Sequence, residues 1–453
     1  MADIVVLGDE AVALGAMDAG ISAAYGYPGT PSTEIMEYLI EHSSETKITA
    51  QWCANEKTAY ETAIGTSFAG KRVLVTMKHV GLNVAADPFI NSALLHINGG
   101  LVLAVADYPG MHSSQNEQDS RFYANFAKII CLELVDQQEA YDMTRKAFEI
   151  SEEFYVPVML RLVTRLSHSR AKIHTSGTVK QKHANKAEDR KNWLLIPALA
   201  RKGWHHLLGL QEQMLKFSEN TPYNSLTVPE EGAELGIITT GLGDNYLREN
   251  MDEMSEKPAV LRIGMYPAPV KKIRELVSSV SRLVILEEGF SFIEKMVRGI
   301  LPADMGISGK IDGTVPLEGE LNPENIHPAL GLSPLDSLKI NTGDLAQRPP
   351  QLCKRCPHGD SYVAIKAALE KYEDTIVTAD IGCYALGVLP PYEVPETIVC
   401  MGSSIGVAKG ASESGYTHAI AVIGDSTFLH SGLTPLQLLL QMQQNFYRLI
   451  RRN

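Results

Sequence analysis

Short apolar runs alternate along this chain with longer segments in which apolar or small residues recur at helical spacing. Each run stops at a Gly or a charged residue, which is typical of a buried strand. Strands that alternate with helices favour parallel sheets, and ligands bind at the carboxyl ends of such strands. The predicted strands are 4–8, 73–77, 101–106, 156–161, 235–241, 261–264, 283–288 and 419–423. The pattern therefore predicts an α/β protein with parallel sheets flanked by helices.

Three stretches interrupt this pattern. Residues 170–192 are polar and basic without apolar periodicity, which indicates a linker, and residues 193–217 have the spacing of one helix. Residues 301–349 are rich in loop-forming residues. A chain of 453 residues should hold about three domains. We therefore divide it into an α/β domain at 1–170, a polar linker and helical connector at 171–231, a second α/β domain at 232–348 and a last one at 349–453.

The composition narrows the class of protein. Apolar residues make up 45% of the chain and charged residues 21%, as in ordinary soluble domains. The net charge of −12 argues against binding to nucleic acid or to a membrane surface. No apolar run approaches the roughly 18 residues of a membrane span, and the first residues lack a signal segment, so we expect a cytoplasmic protein. Six cysteines in this length do not indicate a disulfide scaffold.

The richest chemistry lies between residues 400 and 432. Gly402, Gly406 and Gly410 suit a loop that enters a small-residue helix, whose free N–H groups attract phosphate. Gly424 ends the last predicted strand and lets the backbone approach a ligand, and Asp425 offers a hard oxygen to Mg²⁺. A Gly-Asp-Ser tripeptide alone would only end a strand. Together with the glycine-rich entry it predicts a diphosphate site.

Polar groups also follow the first predicted strands. Thr30 as N-cap with Pro31 at the first helical position predicts either a helix end that binds a carboxylate or simply a well-capped helix. Glu56 begins a helix of small residues, where it either faces a ligand or complements the helix dipole. A polar cluster at 78–83 and a polar loop at 111–121 follow two further strands. A long polar loop after a buried strand favours a functional role.

Three cysteines near the start of the last domain have a suggestive spacing. Cys353 and Cys356 form a C-x2-C pair, and Cys383 follows at the end of a strand. A C-x2-C pair alone is compatible with zinc, with redox chemistry or with no function. The third cysteine raises the weight of the metal-binding interpretation.

Taken together, these motifs resemble the α subunit of indolepyruvate:ferredoxin oxidoreductase, within the thiamine-diphosphate-dependent 2-oxoacid:ferredoxin oxidoreductases. The resemblance runs from residue 1 to about residue 436. The motifs that carry it are 27–32, 55–57, 78–83, 113–121, 380–384 and 424–428. It implies a multi-domain thiamine-diphosphate-binding fold. Segment 1–170 would hold the aminopyrimidine, segment 232–348 would resemble a transketolase C-terminal domain, and segment 349–453 would hold the diphosphate.

The resemblance also implies roles for individual residues. Glu56 would hydrogen-bond the pyrimidine ring and stabilise its imino tautomer, while Thr30 and Arg121 would hold the substrate carboxylate. Asp425 would bind Mg²⁺ on the diphosphate. The remaining diphosphate contacts would come from Gly402, Ser403, Ser404, Gly424 and Ser426. Cys353, Cys356 and Cys383 would supply three ligands of a [4Fe-4S] cluster.

The implied activity is the oxidative decarboxylation of an aryl 2-oxoacid of the indolepyruvate type. The products would be an aryl-acetyl-CoA and carbon dioxide, and the electrons would pass to ferredoxin. The implied partners are a β subunit, ferredoxin and coenzyme A. Two alternatives stay open at this stage: a non-oxidative 2-oxoacid decarboxylase, and an inactive remnant that only binds a partner subunit.

The C-terminal sequence departs from the family pattern. The family carries a second metal ligand on an apolar strand after the Gly-Asp pair, whereas residues 443–453 here are polar and contain three Arg. No C-x2-C-x2-C-x3-C run of a ferredoxin-like domain occurs. Lys354-Arg355 also replaces the usual Pro-Gly, and Gly359 replaces an Arg. We therefore expect a C-terminally truncated or frameshifted chain, with an incomplete last domain, a break near Leu436 and impaired activity.

Overall fold

The computed structural model describes residues 3–112, 114–185, 190–300, 306–333, 351–416 and 418–440. These residues group into two compact units, Met1–Asp336 and Ser337–Asn453. The residues on which the expectation of a truncated chain rests, 443–453, lie outside the described part. The four-segment division made from the sequence stays a prediction.

The strands of the first unit are short, and most of them are buried. They are β1 (Asp3–Leu7), β2 (Ala23–Gly26), β3 (Thr49–Trp52), β4 (Val73–Lys78), β5 (Leu101–Asp107), β6 (Cys131–Glu133), β7 (Val158–Val163), β8 (Arg170–His174), β9 (Asn224–Thr227), β10 (Leu235–Thr240), β11 (Ala259–Ile263), β12 (Met265–Tyr266), β13 (Arg282–Leu286) and β14 (Gly306–Ser308).

Helices connect most of these strands. They are α1 (Gly8–Asp18), α2 (Thr33–Glu41), α3 (Ser43–Thr46), α4 (Glu56–Phe68), α5 (His79–Ser92), α6 (Arg121–Ala127), α7 (Gln137–Phe154), α8 (Thr164–His168), α9 (Pro197–Asn220), α10 (Gly243–Asn250), α11 (Val270–Ser278), α12 (Phe292–Ile300) and α13 (His327–Leu330), with short 3₁₀ turns at Arg190–Trp193 and Met251–Glu253. Local capping fixes the longest of the early helices: the side chain of Asp136 accepts a hydrogen bond of 2.8 Å from the Glu139 N–H at the start of α7.

The large sheet of the first unit has the strand order β12-β6-β7-β5-β4-β2-β3. All its pairings are parallel except that of β12 with β6. Every residue of β5 is buried, because helices cover both faces of such a sheet. The carboxyl ends of the parallel strands meet at one edge, which we call the carboxyl edge. The predicted α/β class with parallel sheets is confirmed.

A second sheet, of order β14-β13-β10-β11-β9, belongs to the same unit. It is parallel apart from β9, and its chain also supplies β12 to the large sheet. One continuous apolar core therefore extends through both sheets. Among the described residues, no helix combines the length and the apolar composition needed to cross a bilayer.

The structure corrects the prediction that residues 4–8 form a buried strand. Asp3, Ile4 and Val5 are exposed, and β1 pairs antiparallel with β8 in a separate two-stranded sheet. The partner strand lies in residues 170–192, which were predicted to be a linker. A short apolar run shows that a strand forms but does not show which strand it pairs with, and here the partner is more than 160 residues away. The helix predicted at 193–217 forms as α9.

The second unit contains β15 (Thr375–Ala379), β16 (Thr397–Ile398) and β17 (His418–Val422), with helices α14 (Pro357–Leu369), α15 (Ser403–Glu413) and α16 (Asp425–Thr427). A 3₁₀ turn spans Cys383–Val388, and a π turn at Phe428–Gly432 leads into a helix at 433–440. The sheet is parallel, in the order β16-β15-β17. β17 was predicted to be buried, but it is half-buried because it pairs only with β15 among the described strands.

Candidate active site

Four strands of the large sheet place polar or aromatic groups along the carboxyl edge. A turn at residues 27–32 follows β2, Glu56 follows β3, Lys78 ends β4, and Tyr108 follows β5. The strand order makes these ends neighbours. Such an edge is where α/β sheets bind ligands, so it is the first place to look for a site.

Glu56 is the first residue of α4, and it is only 9% exposed. The side chain of Asn55 caps the helix by accepting a hydrogen bond of 2.8 Å from the Thr58 N–H. The Glu56 carboxylate lies on the bare Cα of Gly81, where an added Cβ would be 2.5 Å from Oε1. The carboxylate can therefore lie here only because residue 81 is a glycine, and a larger residue at position 81 would displace it.

The electrostatics of Glu56 suit a ligand with a hydrogen-bond donor. Burial raises the pKa of its carboxyl, and its own backbone N–H offsets only part of that rise. Among the described side chains, none donates a hydrogen bond to it. A half-satisfied buried carboxylate of this kind gains free energy when a ligand nitrogen or N–H faces it, which is the contact that an aminopyrimidine ring offers.

Lys78 stands at the end of the neighbouring strand β4. The side chain is half-buried, and a Cβ on Gly29 would be 3.2 Å from the Lys78 Cβ. The ammonium lies 5.3 Å from the centroid of the Tyr108 ring, a cation–π contact. Burial lowers the pKa of Lys78. No carboxylate of the described residues comes within ion-pair distance of it.

His79, the next residue, ties the carboxyl edge to the polar loop at 111–121. It is 1% exposed, and its Nε2 lies 3.1 Å from the backbone oxygen of Asn116. Since a carbonyl only accepts, Nε2 carries the proton. Burial lowers the pKa of His79 to about 4, so the imidazole is neutral near pH 7. The sequence showed this cluster at a strand end, but no role was assigned to Lys78 or His79.

Thr30 lies beside this cluster in a different local structure from the one predicted. The helix begins at Thr33, and Ser32 rather than Thr30 is its N-cap. The N–H and the hydroxyl of Ser32 both donate to the Gly29 carbonyl, at 3.0 and 2.9 Å, so residues 29–32 form a turn ahead of the helix. The prediction that a helix begins at Pro31 with Thr30 as its N-cap is therefore wrong. Thr30 itself is exposed, and the preceding residue, Gly29, lies against the Lys78 stem.

Arg121 does not lie open at the carboxyl edge. Its guanidinium is fully buried and donates to Asp119 Oδ2 at 2.5 Å and to the Glu288 and Phe290 carbonyls at 2.8 and 3.1 Å. Its Nη1 lies 3.0 Å from Glu287 Oε2 and 3.3 Å from the Tyr266 hydroxyl. Protein groups satisfy every N–H of this side chain, so the substrate-carboxylate role predicted for Arg121 does not fit its placement.

A second buried arginine completes the same cluster. Arg161 on β7 donates from Nε to Asp107 Oδ2 at 2.6 Å, forms an ion pair with Glu133, and reaches the Glu288 carbonyl at 3.2 Å. No motif in the sequence indicated a role for this residue. We call the cluster the buried network; its members are Asp107, Asp119, Arg121, Glu133, Arg161, Glu287 and Glu288.

The buried network holds more carboxyl groups than cations, and their pKa values diverge. Burial raises the pKa of Asp107 to about 6 and that of Glu288 to about 7. Burial also acts on Asp119, but the charges of Arg121 and Arg161 outweigh it and hold the Asp119 pKa below its ordinary value. The network joins strand ends of both sheets, so it fixes the two sheets to one another.

In the second unit, the predicted phosphate contacts at residues 402–404 are already occupied. Asp380 is fully buried and accepts hydrogen bonds from the Gly402 N–H at 3.0 Å and from the Ser404 hydroxyl at 3.1 Å. The Ser403 N–H and hydroxyl both donate to the Cys400 carbonyl, at 3.1 and 2.8 Å. Asp380 is thus the anion at the start of α15. The prediction that these groups stand free for a phosphate is corrected.

The Gly-Asp-Ser tripeptide remains more open. Asp425 and Ser426 are exposed, and Asp425 Oδ1 accepts the Ser426 N–H at 2.8 Å. A Cβ on Gly424 would be 2.7 Å from the Tyr384 ring, so the glycine is required where the strand end passes this tyrosine. These carboxylate and hydroxyl oxygens are of the kind that Mg²⁺ and a diphosphate take.

Two of the three predicted cluster cysteines come together. The Sγ atoms of Cys356 and Cys383 lie 3.3 and 3.8 Å from Nδ1 of His358, a residue that the sequence reasoning did not single out. Cys353 is exposed, and its carbonyl accepts the Cys356 N–H at 3.0 Å. Within the described ranges, no group of three or more His, Cys, Asp or Glu side chains has the arrangement of a metal site.

A parallel sheet with a buried carboxylate at its carboxyl edge is compatible with a thiamine-diphosphate-binding domain, and a family model matches this part of the chain. The model described as "Pyruvate flavodoxin/ferredoxin oxidoreductase, thiamine diP-bdg" matches residues 14–203. A solved structure, 2-oxoglutarate:ferredoxin oxidoreductase from Magnetococcus marinus, shares the fold with a TM-score of 0.61 at 17% identity. The match covers 73% of this chain and 65% of that one.

Curated relatives give the particular family. The indolepyruvate oxidoreductase subunit IorA of Archaeoglobus fulgidus is 38% identical over 452 residues, which is 96% of this chain and 72% of the relative. The proteins of the same name from Methanothermobacter marburgensis and Pyrococcus abyssi are 36% and 37% identical, over 99% and 96% of this chain and 74% and 72% of the relatives. The chain therefore belongs to the IorA family of indolepyruvate oxidoreductase subunits. The predicted family is confirmed.

Proposed function

We propose that this chain is the α subunit of an enzyme that oxidises an aryl 2-oxoacid of the indolepyruvate type. The 2-oxoacid anion and the thiol of coenzyme A give an aryl-acetyl thioester, carbon dioxide, one proton and two electrons, and ferredoxin takes the electrons. The names of the relatives support the substrate class. We propose a β subunit as the companion chain and the cytoplasm as the location.

The observation that carries this proposal is the Glu56 carboxylate on Gly81. The carboxylate is buried, it lies at the carboxyl edge, and no described side chain donates to it. These properties fit a thiamine diphosphate whose pyrimidine nitrogen faces Glu56. When bound, thiamine diphosphate supplies the nucleophilic carbon and the electron sink that decarboxylation of a 2-oxoacid requires.

The role that we propose for Glu56 is to hold a proton at the pyrimidine nitrogen. A carboxyl whose pKa is raised by burial shares a proton with a ring nitrogen more readily than an exposed one does. The burial of Glu56 also limits the access of water to that contact, which strengthens the hydrogen bond. The exposed Thr30 hydroxyl, at the same edge, is proposed to contact the substrate.

In the second unit we propose that Gly424, Asp425 and Ser426 hold the diphosphate, with Asp425 as a ligand of Mg²⁺. The exposed Asp425 carboxylate supports this, because Mg²⁺ takes one or two carboxylates beside phosphate oxygens. For residues 402–404 we propose only a structural role, which is to hold the Asp380 carboxylate. Cys353, Cys356 and Cys383 are proposed to bind a [4Fe-4S] cluster, supported by the approach of two of these thiols to His358.

Calorimetry and a product assay test this function. We expect thiamine diphosphate with Mg²⁺ to bind the purified chain, and we expect the chain with its β subunit to reduce viologen when indolepyruvate and coenzyme A are added. Release of the aryl aldehyde without viologen reduction would show a non-oxidative decarboxylase instead. Absence of any heat of binding would show an inactive remnant.

A further inference from the structure

Lys78 ends β4 and Arg121 lies in the segment after β5, and of these two cations only Lys78 is placed to meet a ligand. Arg121 is saturated within the buried network, as its contacts with Asp119, Glu287 and the Glu288 carbonyl show. Lys78 is half-buried and has no anionic partner among the described residues. We propose that the Lys78 ammonium binds the carboxylate of the 2-oxoacid, an inference that rests on the proposed function.

The position of Lys78 suits that role. The end of β4 lies between the ends of β2 and β5 in the sheet, so its side chain is near the centre of the carboxyl edge. Its stem packs on Gly29, in the turn that also exposes the Thr30 hydroxyl. An ammonium and a hydroxyl at one place can hold a carboxylate and the adjacent keto oxygen of a 2-oxoacid.

The energetics favour a bound anion. An ammonium that is partly withdrawn from water without a counter-charge raises the free energy of the empty protein. The Tyr108 ring offsets part of this through the cation–π contact and keeps the ammonium in place. A carboxylate placed against Lys78 would remove the remaining cost, because a charge-assisted hydrogen bond is among the stronger contacts in proteins.

Glu56 and Lys78 then have different roles at the carboxyl edge. Glu56 is proposed to face the cofactor, and Lys78 the part of the substrate that leaves as carbon dioxide. The carboxylate carries its charge before the reaction and loses it in the chemical step. A contact with that charge acts mainly on the bound substrate, so its removal should affect KM more than kcat.

The test compares Lys78→Met and Lys78→Arg with a matched control, Lys71→Met, in the enzyme assembled with its β subunit. Lys71 lies two residues before β4, at the opposite edge of the same sheet, so its replacement removes the same charge away from the site. For Lys78→Met we expect the KM for indolepyruvate to rise about 10- to 100-fold while kcat changes less than about threefold. Lys78→Arg should restore most of the affinity, and Lys71→Met should match the wild type.

Two further measurements separate this role from a structural one. The dissociation constant for thiamine diphosphate should be the same in all variants, since Lys78 is assigned to the substrate. Indole-3-acetaldehyde, which lacks the carboxylate, should inhibit wild type and Lys78→Met with equal inhibition constants. Thermal unfolding of each variant verifies that it is folded, and Lys78→Gln replaces Lys78→Met if the latter is not.

The outcomes distinguish this inference from the function on which it rests. An unchanged KM in Lys78→Met, or an inhibition constant for the aldehyde that rises as much as the KM does, would overturn the role of Lys78 while the proposed function stands. A wild-type enzyme that binds thiamine diphosphate but converts no aryl 2-oxoacid would overturn both.

Discussion

In the buried network, protein groups meet every polar atom of the Arg121 side chain, whereas the described side chains leave Glu56 and Lys78 without a charged partner at the carboxyl edge. Both regions lie in the first unit, and both follow strand ends of the large sheet. They use the same chemical groups: carboxylates and cations withdrawn from water.

The difference lies in whether a charge is already paired. In the buried network the arginines pair with Asp107, Asp119 and Glu133, so their charges hold two sheets together and the guanidinium groups are not free for a ligand. At the carboxyl edge, Gly81 and Gly29 give the two charged side chains room without giving them partners. An unpaired, half-desolvated charge costs stability, and proteins keep such charges where a ligand will meet them.

The largest expected effect comes from Glu56→Gln. The change keeps the shape of the side chain on Gly81 but removes the charge, so we expect the rate of indolepyruvate oxidation to fall by about 10²- to 10⁴-fold. The free energy of unfolding should stay the same or rise slightly, because a poorly satisfied buried carboxylate is lost. Single-turnover kinetics and thermal unfolding measure the two quantities. Glu61→Gln, on the exposed side of the same helix, is the control.

A rate in Glu56→Gln equal to that of Glu61→Gln would remove Glu56 from the site. A marked loss of stability in Glu56→Gln would instead show that Glu56 has a stabilising partner within the protein. The carboxyl edge would then not differ from the buried network in this respect.

The reverse pattern is expected for Arg121→Met. Asp119 would keep Arg161 at 3.6 Å but lose its closest cation, and Glu287 would stay buried without its ion-pair partner, which costs about 3–5 kcal/mol in the free energy of unfolding. Lys78→Met, which breaks no ion pair, should change the same quantity by less than about 1 kcal/mol. Chemical denaturation of the chain measures both. If Arg121→Met instead kept its stability and raised only the KM for the 2-oxoacid, the substrate role predicted from the sequence would be restored.

Features that depend on residues close together in the sequence could be predicted without the structure. The end of an apolar run shows where a strand stops, so the 78–83 cluster could be placed at a strand's carboxyl end without the structure, whereas β3, which brings Glu56 to the same edge, was not predicted. Asn55 caps α4 within the same few residues. The parallel α/β class follows from the same alternation of runs.

Contacts between residues far apart in the sequence could not be predicted in this way. Arg121 meets Tyr266 and Glu287, which are more than 140 residues further along, so nothing near Arg121 showed that its charge is used inside the protein. The glycines around residue 402 suggested an open phosphate site, and only the fold brings Asp380 to the Gly402 N–H and the Ser404 hydroxyl. The pairing of β1 with β8 was missed for the same reason.

The smallest predicted effect is on the pH dependence of stability, and it arises because the buried network has more carboxyl groups than cations. Burial raises the pKa of Glu288 to about 7, above its ordinary value of 4.5, so the folded protein holds this proton more tightly than the unfolded chain does. The resulting stability is complete below about pH 4.5 and is lost as the pH rises through 7. Glu288→Gln, which keeps an acceptor for the Leu321 N–H, should remove this loss.

We therefore expect Glu288→Gln to match the wild type near pH 4 and to exceed it above pH 7 by up to about 3 kcal/mol in the free energy of unfolding. Denaturation curves at several pH values measure the difference, with the exposed Glu45→Gln as control. Asp107, whose pKa burial raises to about 6, remains in the variant and keeps part of the wild-type slope. Equal curves for Glu288→Gln and the wild type at pH 8 would mean that Arg161 and its neighbours already neutralise Glu288. The network would then hold no unpaired charge, whereas Glu56 and Lys78 at the carboxyl edge have no charged partner among the described residues.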